Sequence, residues 1–355
     1  MNPIRNLTKS KYVSSLLWLL PVLFLLVFYF YPLGSIFLES FAPSRVDGGN
    51  PLLEVLGSSS IQETIGFTFW QAILSTVLTL AVGLPGAYLL AKFNFPGKSL
   101  FKALTGLPFV MPAIVVAAAF NAVLGPKGFL NATLIDWFSL AEPPISFVNT
   151  FGAILLAHVF YNTTIVFRMV GDHWSHLDPQ LEQVGRVLGA SRWQSFRRIT
   201  LPMLMPAIAA ASLLIFLFDF SSFGVVLLLG GPKFATMEVE IFYQTVGLFN
   251  LPVAASLSLL QLVFTLIIAL VYTQLIRRIS RPTKRQAEKT TQASLVRSRN
   301  KWLGIALIIA YLTFFTLPLF SLAARSFTRL EPDRGERTYE QGLTLDYYEE
   351  LNINR

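Results

Sequence analysis

Seven apolar stretches recur along the chain, each near the length of about 20 residues that a helix needs to cross a bilayer. They fall near 16–38, 65–91, 103–124, 147–170, 204–230, 251–276 and 302–324. The pattern predicts an all-α membrane protein, a polytopic bundle of about seven helices. Several stretches contain Pro or Gly, which membrane helices accept more readily than soluble ones. The polar segment between the fourth and fifth stretches has a pattern of its own. It reads Leu181-Glu182-Gln183-Val184-Gly185-Arg186-Val187-Leu188-Gly189-Ala190-Ser191, and runs on to Phe196-Arg197-Arg198-Ile199-Thr200-Leu201-Pro202. We expect two short helices meeting at Gly189, because glycine accepts backbone angles that other residues avoid. Pro202 suits the start of the fifth helix. Leu188, Ala190, Trp193 and Phe196 are the apolar face expected to meet a groove on a partner.

Composition agrees with lipid as the main solvent. Of the 355 residues, 54% are hydrophobic and 14% charged, against about 25% charged in soluble domains. The net charge of +8 raises the question of nucleic acid, and its distribution answers it. With the N-terminus in the cytoplasm, 20 of the 28 Lys and Arg residues fall in inner segments. The excess base is thus an orientation signal, with membrane lipid and not nucleic acid as its partner. The absence of cysteine excludes a disulfide framework or a thiolate metal site. The first apolar run, Leu16 to Leu38, has no small-residue cleavage site after it and reads as a retained anchor.

The order of segments suggests a repeat. Tyr31-Pro32-Leu33-Gly34-Ser35-Ile36-Phe37-Leu38-Glu39-Ser40-Phe41 resembles Leu317-Pro318-Leu319-Phe320-Ser321-Leu322-Ala323-Ala324-Arg325-Ser326-Phe327, with five identities at an offset of 286. Each copy closes an apolar helix. The expected organisation is a first six-helix repeat (1–276), a basic, flexible cytoplasmic linker (277–301) and the start of a second repeat (302–355). The stretch 342–351 resembles the lead-in to a further helix, so the chain reads as one repeat plus the opening of another.

Gly189, Ile199, Leu201 and Pro202 carry a family resemblance. Gly, nine residues, then Ile-x-Leu-Pro resembles the signature loop of binding-protein-dependent ABC importer permeases, on which the ATP-binding subunit pushes. The family's Glu-Ala-Ala falls on Gln183, Val184 and Gly185, a departure, with Glu182 adjacent. Phe67-Thr68-Phe69-Trp70-Gln71-Ala72, the stretch 155–162 and Leu229-Gly230-Gly231-Pro232 extend the likeness to the fused, two-repeat kind serving thiamine or ferric iron. The resemblance implies an ABC type I importer permease fold in a bacterial plasma membrane. It also implies ATP-binding cassette subunits inside, an extracytoplasmic solute-binding protein outside, and a second permease half or copy. The coupling residues it implies are Glu182, Gln183, Gly185, Arg186, Gly189, Ala190, Ile199, Leu201 and Pro202. A basic amphipathic loop lying on the membrane surface is the other reading of the segment.

Few polar residues interrupt the apolar stretches. Asp219 falls mid-way through the fifth, where a carboxylate costs about 2.5–3.5 kcal/mol. Two readings are open: a residue on the translocation path, or an interhelical hydrogen bond to a Ser, Asn or His. His158 and Asn162 share one helix face and carry the same two readings. Gln71 and Gln261 read as interhelical hydrogen bonds, and Gly83, Pro85 and Gly86 as a kink or close packing. No metal ligand set, cofactor motif or phosphate-binding loop is present, so we expect a transporter subunit and not an enzyme. The rivals are an ion-coupled secondary transporter, which needs more ionisable residues at mid-membrane, and a non-transporting scaffold.

Overall fold

The structure, a computed structural model, describes residues 11–42, 50–231, 233–279, 292–297, 301–327 and 345. Among these are seven helices long and apolar enough to cross a membrane. They are α1 (Trp18–Glu39), α2 (Ser59–Lys92), α3 (Ala113–Phe138, interrupted by a turn at 125–128), α4 (Phe151–Ser175), α5 (Arg192–Phe220), α6 (Leu251–Ile279) and α7 (Lys301–Arg325). The seven helices expected are found among the described residues.

Two helices depart from their expected bounds, and proline explains the first. The third helix begins at Ala113, not 103, because Pro108 and Pro112 cannot donate backbone hydrogen bonds there. Met111, preceding Pro112, is extended with ψ 142°, as a residue before proline tends to be. The fifth helix is shifted toward the N-terminus: it starts at Arg192, not 204, and ends at Phe220, not 230. A separate short helix, Gly224–Leu229, follows the break.

The chain divides into two compact units. The first takes Met1–Gly66 and Met237–Ile267. Its core includes Val55, Met237 and Leu257, all fully buried. Polar ties join its segments: the Ser256 hydroxyl donates to the Ser40 carbonyl at 3.2 Å, and the Gln261 amide to the Glu238 carboxylate at 2.8 Å. Burial pushes the Glu238 carboxyl above its ordinary pKa, and the Gln261 hydrogen bond partly opposes this. The apolar window of α1 stays unburied, with Tyr29, Phe30 and Tyr31 all exposed.

The second unit takes Phe67–Thr236 and Ile268–Arg355. Its core lies where α2, α4 and α5 meet, around Ala87, Val166, Val170, Leu204, Ala211 and Ile215. Glycines set the α2–α4 separation. A Cβ on Gly83 would lie 2.6 Å from Val166, and one on Gly86 would overlap the Phe167 ring. The close-packing reading of Gly83 and Gly86 therefore holds, and α2 runs unbroken through Pro85. Against this pair α7 lays Tyr311 and Phe315, which meet the rings of Phe167 and Phe160. The Tyr311 hydroxyl donates to the Val82 carbonyl.

Within the segment read as a linker, the described residues 292–297 take regular structure. Strands β1 (Phe93–Asn94) and β2 (Ala293–Ser294) pair in parallel. Leu295, only 3% exposed, explains the anchor: it packs where Gly304 has no side chain. Residues 280–291 and 298–300, Arg45, Pro232 and all of the 342–351 lead-in but Leu345 lie outside the described residues.

The two similar segments, 31–41 and 317–327, end alike. The final helical residues, Glu39 and Arg325, stand 286 apart. The next residue in each is a serine whose hydroxyl donates to the carbonyl three residues back, Ser40 to Phe37 and Ser326 to Ala323, both at 2.7 Å.

The packing of Gly86 generates a prediction. Gly86→Val forces a branched side chain against Phe167 and should cost about 1–3 kcal/mol. Gly66→Ala, with open space at its Cβ, should leave stability unchanged or raise it. Thermal unfolding of the purified chain in detergent measures both. Equal midpoints for the two variants would contradict the packing account.

Candidate functional site

The 178–202 loop is built by three successive capping devices. Asp178 accepts from the Gln180 backbone N–H at 2.9 Å and starts the helix Pro179–Val187, with Pro179 in its first turn. Glu182 lies in that turn, where the helix dipole favours negative charge. The helix ends in a Schellman motif. The Ala190 N–H donates to the Gly185 carbonyl at 3.0 Å and the Gly189 N–H to that of Arg186 at 3.1 Å. Gly189 has φ +91°, so glycine is needed there for its backbone and not for space. A capping box follows. Ser191 Oγ accepts from the Gln194 N–H at 3.2 Å, and Gln194 Oε1 accepts from the Ser191 N–H at 2.9 Å.

Expectation and structure part at Pro202. The second short helix, Arg192–Ser195, does not stop before the fifth; it is the first turn of α5. A π-helical turn at Phe196–Thr200 joins it to the rest, so Pro202 lies inside a continuous helix and not at a boundary. The wider turn absorbs the geometry that proline imposes on preceding carbonyls. The loop is also tied to its surroundings. A Cβ on Gly185 would lie 2.7 Å from Ile199 Cδ1, so these two motif positions touch. Ser195 Oγ donates to the Glu182 carbonyl at 3.0 Å. Lys92, at the end of α2, pairs with Glu182 at 3.5 Å.

The exposed apolar face differs in membership from the expected one. Phe196 turns inward and stacks on Trp174 with ring centres 6.0 Å apart. Val184 and Val187 take its place: Val184, Val187, Leu188 and Trp193 are 56%, 87%, 82% and 67% exposed. Their projection into solvent marks a surface that calls for a partner. Spacing signals this row, since 181, 184 and 188 share a helix face.

Asp219, His158 and Asn162 come together in the second unit. Asp219 sits in the last turn of α5, not mid-helix, and is 1% exposed. Asn162 Nδ2 donates to Asp219 Oδ1 at 2.7 Å, and His158 Nδ1 stands 3.5 Å from the same oxygen. The two His158 ring nitrogens also hydrogen-bond with Ser75 Oγ at 2.9 Å and Ser222 Oγ at 2.8 Å. Gln71 Nε2 donates to the Asp219 carbonyl at 2.6 Å. The cluster thus joins α2, α4 and α5 through side chains, as interhelical hydrogen bonding requires. Sequence reading missed Ser75 and Ser222, which are common enough to carry no signal. Among the described residues no group of His, Asp and Glu is placed to hold a metal.

The family described as "binding-protein-dependent transport system inner membrane component" matches residues 83–281, more than half of the chain. The chain belongs to this family. As such a permease component it is 34% identical over 209 residues to the thiamine transport system permease protein of Haemophilus influenzae. That match covers 59% of this chain and 38% of the relative, so the chain spans well under half of the thiamine permease's length. It is 28% identical to the sulfate transport system permease protein of Synechocystis, over 71% of this chain and 91% of that one. A solved bacterial ABC transporter involved in the import of the acidic polysaccharide alginate shares the fold. The TM-score is 0.62 at 19% identity, over 78% of this chain and 99% of that one. The permease family is not an enzyme family.

The Asp219 cluster is testable by a double-mutant cycle. Asn162→Leu leaves a buried carboxylate oxygen without its donor and should cost about 1–3 kcal/mol. Asp219→Leu should also destabilise. The double variant should lose less than the sum of the two, because apolar groups replace both partners. Strictly additive shifts in unfolding midpoint would show that the pair is not coupled.

Proposed function

We propose that this permease component is the membrane-spanning subunit of an ABC importer in the bacterial inner membrane. Separate ATP-binding cassette subunits drive it, and an extracytoplasmic solute-binding protein delivers its cargo. The observation that carries the reading is the 178–202 loop. It presents an apolar row to solvent, yet it is continuous with α5 and bonded to α2 through Glu182. A subunit docking there grips a rigid extension of two membrane helices. Closure of the ATPases would tilt α5 and rock the bundle between inward-open and outward-open states.

Within the loop, Gly189 and Ala190 form the reversal, and Gly185 with Ile199 forms the internal contact. Glu182 supplies the tie to α2, while Gln183 and Arg186 lie on exposed surface. Leu201 and Pro202 stand where the π-helical turn gives way to α-helix. Asp219, His158 and Asn162 are assigned to the wall of the path; in this structure their cluster is closed, each at most 4% exposed.

Thiamine heads the substrate classes, supported by 34% identity to a thiamine permease; ferric iron comes second. The family also includes a sulfate permease, so uptake by the assembled system should be compared for labelled thiamine, ferric iron and sulfate. Sulfate uptake without thiamine uptake would overturn the choice.

The organisation we favour is a first repeat over 1–276, a linker over 277–301 and the opening of a second repeat over 302–355. The equal serine caps at Ser40 and Ser326 support it. A second half or copy is then required. In the second unit α7 buries Tyr311 and Phe315 among neighbouring helices. Its counterpart α1 leaves its apolar window unburied and would find the same cover on the second half.

Two experiments test the reading. The first concerns orientation, with the N-terminus in the cytoplasm. Single cysteines at Gly189 and Glu142 in this cysteine-free chain are probed with an impermeant thiol reagent in intact cells. Position 142 should label and 189 should not; the reverse pattern refutes the topology. The second is Gly189→Val. A branched side chain at φ +91° costs about 1–3 kcal/mol and should distort the reversal. Transport and substrate-stimulated ATPase activity should fall together at normal expression. Retained stimulation would count against coupling through this loop.

A further inference from the structure

A crevice of about 870 Å³ lies in the second unit, lined by α2, the end of α4, the 178–202 loop and the start of α5. Its lining is divided in character. Leu84, Pro85 and Ile208, all within membrane-spanning helices, form an apolar wall. Arg186 and Arg192 line the loop side, exposed, and neither guanidinium makes an ion pair or hydrogen bond among the described residues. The one acidic group of the lining, Glu182, is engaged by Lys92 at 3.5 Å, so it does not neutralise them. Trp174 also lines the crevice. It is 6% exposed, yet its indole N–H has no acceptor among the described residues. A buried donor without an acceptor is uncommon.

We propose that this crevice binds an anionic phospholipid from the leaflet on the loop side. Two guanidinium groups match a phosphate headgroup, since each presents paired N–H donors to its oxygens. The apolar wall continues from the headgroup position into the bilayer, which is where acyl chains run. A soluble anion would have no use for that wall. Trp193, 67% exposed, also lines the crevice and stands within quenching reach of a lipid held there. The lipid would sit beneath the loop, against both α2 and α5.

The test uses the full chain purified in detergent, titrated with acyl-brominated phosphatidylglycerol, acyl-brominated phosphatidylcholine or inorganic phosphate. Bromine quenches tryptophan fluorescence at contact. Phosphatidylglycerol should quench at lower concentration than phosphatidylcholine. Arg186→Gln and Arg192→Gln should each weaken it about fivefold, leaving phosphatidylcholine unchanged. Trp174→Phe and Trp193→Phe should each remove part of the lipid-specific quenching, and Trp70→Phe should not. Trp193→Phe, at an exposed position, gives the same reading if Trp174→Phe fails to fold. Equal quenching by the two lipids, or a preference that survives the double Arg186→Gln, Arg192→Gln substitution, overturns the proposal. So does displacement of phosphatidylglycerol by millimolar inorganic phosphate, which would assign the arginines to a soluble anion.

Discussion

A carboxyl group buried among helices draws donors to itself, and the hydrogen bonds that Asp219 takes tie together the helices of the second unit. Asp219 cannot face lipid without large cost. Its side chain takes a hydrogen bond from Asn162 on α4, and its carbonyl takes one from Gln71 on α2. His158 extends the network to Ser75 on α2 and Ser222 beyond α5. Packing between membrane helices has little hydrophobic driving force, because lipid tails are as apolar as the side chains. Polar ties and close backbone approach therefore carry more of the specificity. Gly83 and Gly86 supply the approach, the Asp219 cluster supplies the ties, and both act on the α2–α4 pair.

The sequence was informative wherever a residue type has one strong physical use. Runs of apolar residues located all seven membrane helices. Gly189 located the reversal because few residues accept its backbone angle, and Gly83 with Gly86 located a tight crossing. Helix boundaries were less legible. Pro202 looked like a helix start because proline commonly opens helices, but a π-helical turn let α5 run through it. Conversely, the prolines at 108 and 112 held back the third helix in a stretch whose hydropathy alone reads as continuous. Hydropathy reports burial in lipid and not the path of the backbone.

Side-chain direction was the other gap. Phe196 belonged by spacing to the exposed apolar face, yet the π-helical turn rotates it toward Trp174. Asp219 was legible as a costly residue, but its partners are a glutamine, a histidine and an asparagine, the farthest 148 residues away in sequence. Ordinary polar residues become a cluster only when the helices are assembled. The same holds for Leu295, an unremarked leucine in a basic segment that proves to anchor it.

The run of α5 from Arg192 to Phe220 has a mechanical meaning. At about 1.5 Å per residue, 29 residues make a rod of roughly 43 Å, with the 178–202 loop at one end and Asp219 at the other. The helix stops immediately after Asp219, and a new one begins at Gly224. A rod with a joint at its far end behaves as a lever: rotation at the near end swings the tip, and the segment past the joint need not follow. Under the coupling proposed above, the hydrogen bonds that Asp219 takes from Asn162 and Gln71 would be the catch that holds the tip against α4 and α2.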